Sequence, residues 1–419
     1  MEFKLKTLAQ INQKSLKKAT FPEYIVYLDT KNLTNGKFEE LVYFNKSKDK
    51  IPSRARRIVQ KNDILISTVR PNQKHYGFIT KDKENYIVST GFAVITPDET
   101  KVNPYFLYKY LTLDSITNYL QNIAENSTSA YPAIKPSVLS ELSIILPDKT
   151  IQDYISKLLR SIDDKIDLNE QIIANLQELS QTLFKRWFVD FEFPDENGNP
   201  YKSSGGEMVD SELGEIPKGW NVKNLDDIAN YVNGLAMQKF KPTDNQNSLP
   251  VVKIKELKNG STDENSNRCT SEIPDKALIN DGDIIFSWSA TLLVKMWCGG
   301  KAGLNQHLFK VSSDKYPKWF YYYWTKRYID YFIGIANDKA TTMGHINRKH
   351  LSHAKILIPN DSTLEKFSRT FDDLLEKELS VSKESKRLIE LRDTLLPKLM
   401  SGEIEIPDDI EVNEDELSI

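Results

Sequence analysis

The side chains best suited to chemistry in this chain are polar and basic residues gathered in loops, rather than acids, bases or thiols at catalytic spacing. Three clusters stand in the first half: Arg54, Arg56 and Arg57; Arg70, Lys74, His75 and Tyr76; and Ser127, Thr128, Ser129 and Tyr131 with Lys135. Three more stand in the second: Lys239 with Lys241; Asn305, Gln306 and His307; and Lys339, Thr341, Thr342 and His345 followed by Asn347, Arg348 and Lys349. Arg, Asn, Gln, Lys and His carry the donor patterns that read guanine and adenine edges, while Ser, Thr and Lys anchor phosphates. That is the chemistry of gripping double-stranded DNA. Charged loops are commonly only solvated, so the most weight falls on the loops near 127–131 and 339–343, where a polar turn recurs in both halves.

Catalytic combinations are missing. No Pro-Pro pair occurs, which removes the Asn/Asp-Pro-Pro-Tyr/Phe motif of amino-methyltransferases, and there is no G-x-x-x-x-G-K-[ST] loop, no H-E-x-x-H and no C-x-x-C. Asp195 and Glu196 loosely suggest a nuclease carboxylate pair, but they sit in a linker beside Gly198 and Pro200. His345, His350 and His353 lack Cys or carboxylate companions at ligand spacing. The chain reads as a non-catalytic binder with no cofactor or metal of its own.

The elements that must position these loops are written twice. Residues 126–147 recur without a gap as 338–359, with Ile134/Ile346, Leu139/Leu351, Ser140/Ser352, Ile144/Ile356 and Pro147/Pro359 at a constant offset of 212. Earlier stretches align with small slips: Asn62-Asp-Ile-Leu-Ile-Ser67 matches Gly282-Asp-Ile-Ile-Phe-Ser287, and Leu33-Thr-Asn-Gly36 matches Leu257-Lys-Asn-Gly260. Such self-similarity marks a tandem duplication of a globular unit followed by a helix. Short β-rich runs, such as 24–28, 63–68, 86–96 and 283–288, alternate with helical stretches near 104–122 and 318–333. An α/β (α+β) unit with a curved sheet follows. The aromatic runs around Tyr105 and Trp319 read as core packing rather than base-stacking platforms.

Charge alternates with this architecture. Residues 1–147 hold 21 Lys and Arg against 14 Asp and Glu (net +7), and 217–359 hold 20 against 13 (net +7). The intervening 148–216 have 7 against 15 (net −8), and 360–419 have 8 against 17 (net −9). Basic globular units can neutralise phosphates, and acidic helical segments are repelled from a polyanion and left for protein partners. The absence of a signal-peptide pattern, of a transmembrane run and of more than two cysteines points to the cytoplasm.

After Pro147, the series Ile155, Leu159, Ile162, Ile166, Asn169, Ile173, Leu176, Ser180, Leu183 and Trp187 steps by fours and threes, a coiled-coil seam. The second copy offers Phe367, Phe371, Leu374, Glu378, Val381, Ser385, Leu388, Arg392, Leu395 and Leu399. An antiparallel pair is expected, because related units joined head to tail then close about a pseudo-twofold axis. Asn169 and Ser180 could then lie near Arg392 and Ser385, a register that sequence alone does not fix. A helix from 155 to 187 is about 50 Å long and would hold two DNA-reading units apart on the scale of the roughly 34 Å helical turn.

Several motifs resemble the specificity (S) subunit of type I restriction-modification systems. They are Leu183-Phe-Lys-Arg-Trp-Phe-Val-Asp-Phe191, Tyr201-Lys-Ser-Ser-Gly-Gly-Glu-Met208, Ser211-Glu-Leu-Gly-Glu-Ile-Pro-Lys-Gly-Trp220 and Glu390-Leu-Arg-Asp-Thr-Leu-Leu-Pro-Lys-Leu-Met-Ser-Gly-Glu-Ile404. The resemblance implies two target recognition domains in tandem repeat, each reading one half of a split, asymmetric DNA sequence and separated by two long helices packed as an antiparallel coiled coil. It also implies two modification subunits that use S-adenosylmethionine to methylate adenine, and restriction subunits that use ATP and Mg. No base-reading residue carries over by motif.

The expected organisation is a first recognition domain at 1–148, a spacer helix at 149–192, a linker at 193–216, a second recognition domain at 217–360, a second spacer helix at 361–402 and a disordered acidic tail at 403–419. The alternative is a coiled-coil scaffold with two protein-binding modules that never touches DNA. A DNA reader loses affinity steeply with salt, and a scaffold does not.

Overall fold

The computed structural model describes residues 1–17, 21–126, 132–243, 247–338 and 344–407. The chain forms two compact units, Met1–Lys165 with Glu390–Ile419, and Ile166–Ile389. The tail from residue 408 onward lies outside the described residues.

In the first unit, one four-stranded sheet runs in the order Val42–Asn45, Tyr24–Leu28, Tyr86–Ser89, Ala55–Ile58, with a parallel central pair. A second runs Ala9–Ile11, Phe92–Pro97, Ile64–Ser67, Tyr76–Phe78 and is antiparallel throughout. Glu2–Lys4 pairs with Ser143–Ile145 at the base. The second unit repeats the two four-stranded sheets and the basal pair, but where the first has the hairpin Leu33–Thr34 with Lys37–Phe38 the aligned stretch ends helix Ile254–Asn259. Its mixed sheet is Arg268–Thr270, Ser248–Val252, Ala302–Leu304, Leu278–Ile279, again with a parallel central pair, and its antiparallel sheet is Asn230–Asn233, Leu308–Ser312, Ile284–Ser287, Leu293–Met296. Asn221–Asn224 pairs with Lys355–Ile358 at its base. Strands such as Ile64–Ser67 and Ile284–Ser287 are buried along their whole length, which explains their unbroken apolar runs.

The aromatic helices pack inward, as their composition suggests: Phe106, Trp319 and Phe320 are fully buried. Each such side chain contributes about 1.5–3 kcal/mol relative to exposure. The stretch near 104–122 is two helices, Pro104–Leu111 and Asp114–Glu125, not one. The Thr112 hydroxyl donates back to the Tyr108 carbonyl, and Leu113 turns extended, so the ladder ends there. The stretch near 318–333 divides likewise into Lys318–Arg327 and Ile329–Asp338.

The long helices span Lys149–Phe188 and Asp361–Ser401. In the second unit Trp187 meets Phe367 at 4.5 Å between ring centroids, Gln177 donates to Glu378 at 2.7 Å and Asn169 donates to Glu384 at 2.9 Å. In the first unit Asp163 meets Arg392 at 3.1 Å. Numbers that climb along one helix fall along the other, so the pair is antiparallel. The polar register, left open by sequence, is fixed by ion and amide pairs: Asn169 meets Glu384, Arg392 meets Asp163, and the Ser180 hydroxyl donates to its own Leu176 carbonyl. A buried guanidinium requires a carboxylate, which outweighs matching weakly polar residues. Near residue 184 the most buried stripe shifts to Phe184 and Phe188, where the helix packs on Trp319 and Phe371.

Candidate nucleic-acid interface

At the end of strand Ile64–Ser67 the chain turns through Arg70, a non-glycine residue in the left-handed region at φ 49°. This turn is stapled to the segment that follows residue 131. Arg70 N–H donates to the Pro132 carbonyl at 2.9 Å, Val69 bridges Ala133, and Ile134 N–H donates to the Thr68 carbonyl at 2.8 Å. The second unit builds the same staple after strand Ile284–Ser287. Ala290 stands at φ 56°, its N–H donates to the Gly344 carbonyl at 3.0 Å, Ser289 bridges His345, and Ile346 N–H donates to the Trp288 carbonyl at 3.0 Å. Left-handed backbone at an Arg or Ala costs about 1–2 kcal/mol, so surrounding contacts must hold it.

The staple brings together several sequence-nominated residues. Arg70 is exposed, and the neighbouring segment leads into Lys135, also exposed. Arg54 lies close along the backbone: its carbonyl accepts from Thr90 N–H, and the Gly91 carbonyl accepts from Thr68 N–H. In the second unit His345, Asn347 and Lys349 follow the staple and are exposed. Gln306 and His307 are exposed in the turn before strand Leu308–Ser312, and the His307 ring lies 5.8 Å from Trp288. Asn305, only 8% exposed, shapes that turn rather than pointing outward. Its backbone N–H bonds the Val252 carbonyl, and it bridges Leu235 beside Gly234. A Cβ at Gly234 would stand 2.3 Å from the Leu304 carbonyl oxygen, so only glycine permits this approach. Lys239 and Lys241 follow the same crossing and are exposed.

Other nominated side chains have structural tasks. Arg56 lies 5.0 Å over the Phe21 ring, and Arg57 is half-buried, with an Nε that finds no partner among the described residues. Burial pulls the Arg57 guanidinium below its ordinary pKa. Lys74 pairs with Asp114 at 2.6 Å. His75 Nδ1 lies 2.7 Å from the Leu33 carbonyl, which can only accept, so that nitrogen carries the proton. The Tyr76 hydroxyl donates to Asn35 at 2.6 Å, and burial, followed by Asp114, pushes its pKa up to about 12. Arg348 Nη2 donates to the Tyr231 carbonyl at 2.8 Å while its guanidinium lies 5.7 Å over Phe309. Ser127, Thr128, Ser129, Tyr131, Lys339, Thr341 and Thr342 lie outside the described residues.

Sequence reasoning missed Trp288 and Ala290. Trp288 carries a buried indole N–H with no partner among the described residues. The aligned runs ending at Ser67 and Ser287 held the signal, since they place Ala290 opposite Arg70. The Asp195 carboxylate is a turn cap, accepting from Asn197 N–H and Asn199 N–H at 2.8 Å each.

Residues 1–178 and 217–391 match the family model described as type I restriction modification DNA specificity domain. The chain is 28% identical over 460 residues to the type I restriction enzyme HindI specificity subunit of Haemophilus influenzae, covering 96% of this chain and 100% of that protein. It is 28% identical over 419 residues to the MjaIX specificity subunit of Methanocaldococcus jannaschii, covering 96% and 93%. The crystal structure of a type I restriction-modification system S subunit from M. genitalium shares the fold, with a TM-score of 0.55 at 16% identity over 95% of each chain. Two matched segments that fall on the two repeated units and run into their long helices leave one assignment: the chain belongs to the type I restriction modification DNA specificity domain family.

Proposed function

We propose that this chain gives a type I restriction-modification complex its sequence specificity, reading a split, asymmetric DNA target with one recognition domain per half-site. Residues 1–148 and 217–360 each grip one half, and the helices at 149–192 and 361–402 set the gap and seat the modification subunits. Methylation with S-adenosylmethionine, and cleavage driven by ATP and Mg, belong to partner subunits acting in the cytoplasm. The observation that carries this reading is the duplicated staple. One backbone frame holds Arg70 in one unit and Ala290 in the other, so the same placement serves two different surfaces. Shared frame with unlike side chains is what two different half-sites require.

Single-molecule methylome sequencing of cells carrying this chain with its modification partner tests the reading. Methylated adenines should fall in two unlike short motifs at a fixed gap. A single continuous motif, or no methylation dependent on this chain, would overturn it. DNA affinity of the purified complex should also fall steeply with salt, and a flat salt response would favour the scaffold alternative.

A further inference from the structure

Where the first globular unit rests on the long helices, its packing becomes ionic. Asp163, on the first long helix, accepts a hydrogen bond from the Tyr105 hydroxyl, an ion pair from Lys109 Nζ at 2.6 Å and one from Arg392 Nη1 at 3.1 Å. Tyr105 and Lys109 belong to helix Pro104–Leu111, and Arg392 to the second long helix, so one carboxylate ties three elements. Lys109 is 9% exposed, and Arg160 lies 4.5 Å over the Tyr105 ring. Burial alone would raise the Asp163 pKa; Lys109, then Tyr105 and Arg392, hold it below the ordinary carboxylate range. Asp163 is therefore ionised at neutral pH, while burial pulls Lys109 below its ordinary value.

The second unit solves the same packing problem mainly with aromatic rings, its buried carboxylate Glu378 accepting a hydrogen bond from Gln177 at 2.7 Å. Aligning Pro104 with Pro317 sets Phe106 on Trp319, Tyr108 on Tyr321 and Thr112 on Thr325. Lys109 then corresponds to Tyr322; on the long helices Asp163 corresponds to Leu375 and Arg392 to Ser180. Tyr322 is 1% exposed, and the seat is an aromatic stack in which Trp319 lies 4.5 Å from Phe371 and Phe188 lies 5.4 Å from Trp319. An aromatic stack that slides loses part of its contact energy but strands no charge. A buried carboxylate with three donors from fixed directions resists a slide, because a shift strands a charge in a dry site.

We propose that Asp163 is the positioning residue that fixes the angle at which the first recognition domain is held on the long helices, and through it the base-pair gap that the subunit accepts. This deepens the bipartite reading above and rests on it. The staple residues choose bases; the Asp163 cluster chooses where along the DNA the first staple lands. In the aromatic seat of the second domain the buried carboxylate Glu378 accepts from the neutral amide of Gln177, whereas Asp163 is held by two cations and a hydroxyl.

The test maps adenine methylation in cells carrying the full chain with its modification partner. Wild type is compared with the triple variant Lys109→Tyr, Asp163→Leu, Arg392→Ser, which installs the second unit's residues, and with Arg392→Ser alone, which leaves Lys109 on Asp163. Thermal unfolding of the purified proteins establishes that each is folded. The triple variant is expected to keep both half-site sequences while methylation at gaps one base pair longer or shorter rises at least tenfold, with Arg392→Ser giving a smaller rise of about threefold. A folded variant with the wild-type gap distribution overturns the proposal, as does one whose half-site bases change. Should the triple variant fail to fold, Arg392→Ser decides by the same measure. Absence of a bipartite pattern in wild type refutes the underlying functional reading instead.

Discussion

Arg70 and Ala290 occupy equivalent turns with the same left-handed backbone, yet only one carries a charge. If Arg70 faces a phosphate, Arg70→Ala should weaken DNA binding about three- to tenfold at low salt and lower the slope of log affinity against log salt by about one. An unchanged slope in a titration at several ionic strengths would remove Arg70 from the interface. Ala290 tests the turn itself. Ala290→Val sets a β-branched side chain at positive φ and should cost about 1–2 kcal/mol, whereas Ala290→Gly should be neutral or stabilising; thermal unfolding of both variants decides, and a valine variant as stable as the glycine one would mean that no strain is held there. Sequence made the basic loops visible but not the tertiary neighbours of their members, as Arg57 and Arg348 show. One is half-buried and the other binds the Tyr231 carbonyl across more than a hundred residues of chain. Positive φ at Ala290 was equally hidden, because alanine advertises nothing about its backbone.

At the scale of elements, period and composition showed the long helices and their seam, since apolar steps of three and four leave little choice of structure. The polar members of the seam were less legible, because their partners depend on register. Glu378 is the informative case: it is 4% exposed and accepts from Gln177 at 2.7 Å. Burial raises its pKa, with Gln177 and then Lys326 opposing. A carboxylic acid whose pKa is raised by folding binds its proton more tightly in the native state. Its favourable contribution is therefore full below the ordinary value of 4.5 and is lost as pH rises through the shifted one. Above the shifted value the ionised group works against folding. Glu378→Gln keeps a partner for Gln177 and should raise Tm at neutral pH, with the gain shrinking as pH falls toward 4.5. A variant less stable at pH 7, or one whose gain grows on acidification, would show that the Lys326 interaction outweighs the burial.

At the scale of the whole molecule, duplication was the most legible feature, because it is written in residue identities and does not depend on how any one segment folds. It predicted two units of one plan, and the matching strand orders are its structural expression. What duplication cannot specify is a distance, and the proposed ruler is a claim about distance. Because the helices are antiparallel, a matched deletion must remove facing segments: residues 166–172 from the first and 383–389 from the second. This sacrifices the Asn169–Glu384 contact but leaves Gln177–Glu378 and Asp163–Arg392 in place. Seven residues keep the heptad phase to within about 20° and shorten the strut by about 10 Å, the axial length of about three base pairs. Each base pair also rotates the duplex by about 34°, so the gap that restores both grips should be one to three base pairs shorter, with both half-site sequences retained. Methylome sequencing of the double-deletion strain reads this directly. Deleting only one of the two segments should instead abolish methylation, because every polar pair beyond the cut falls out of register. If the double deletion methylates at the original gap, the helices do not set the spacing, and the determinant must lie within the recognition domains themselves.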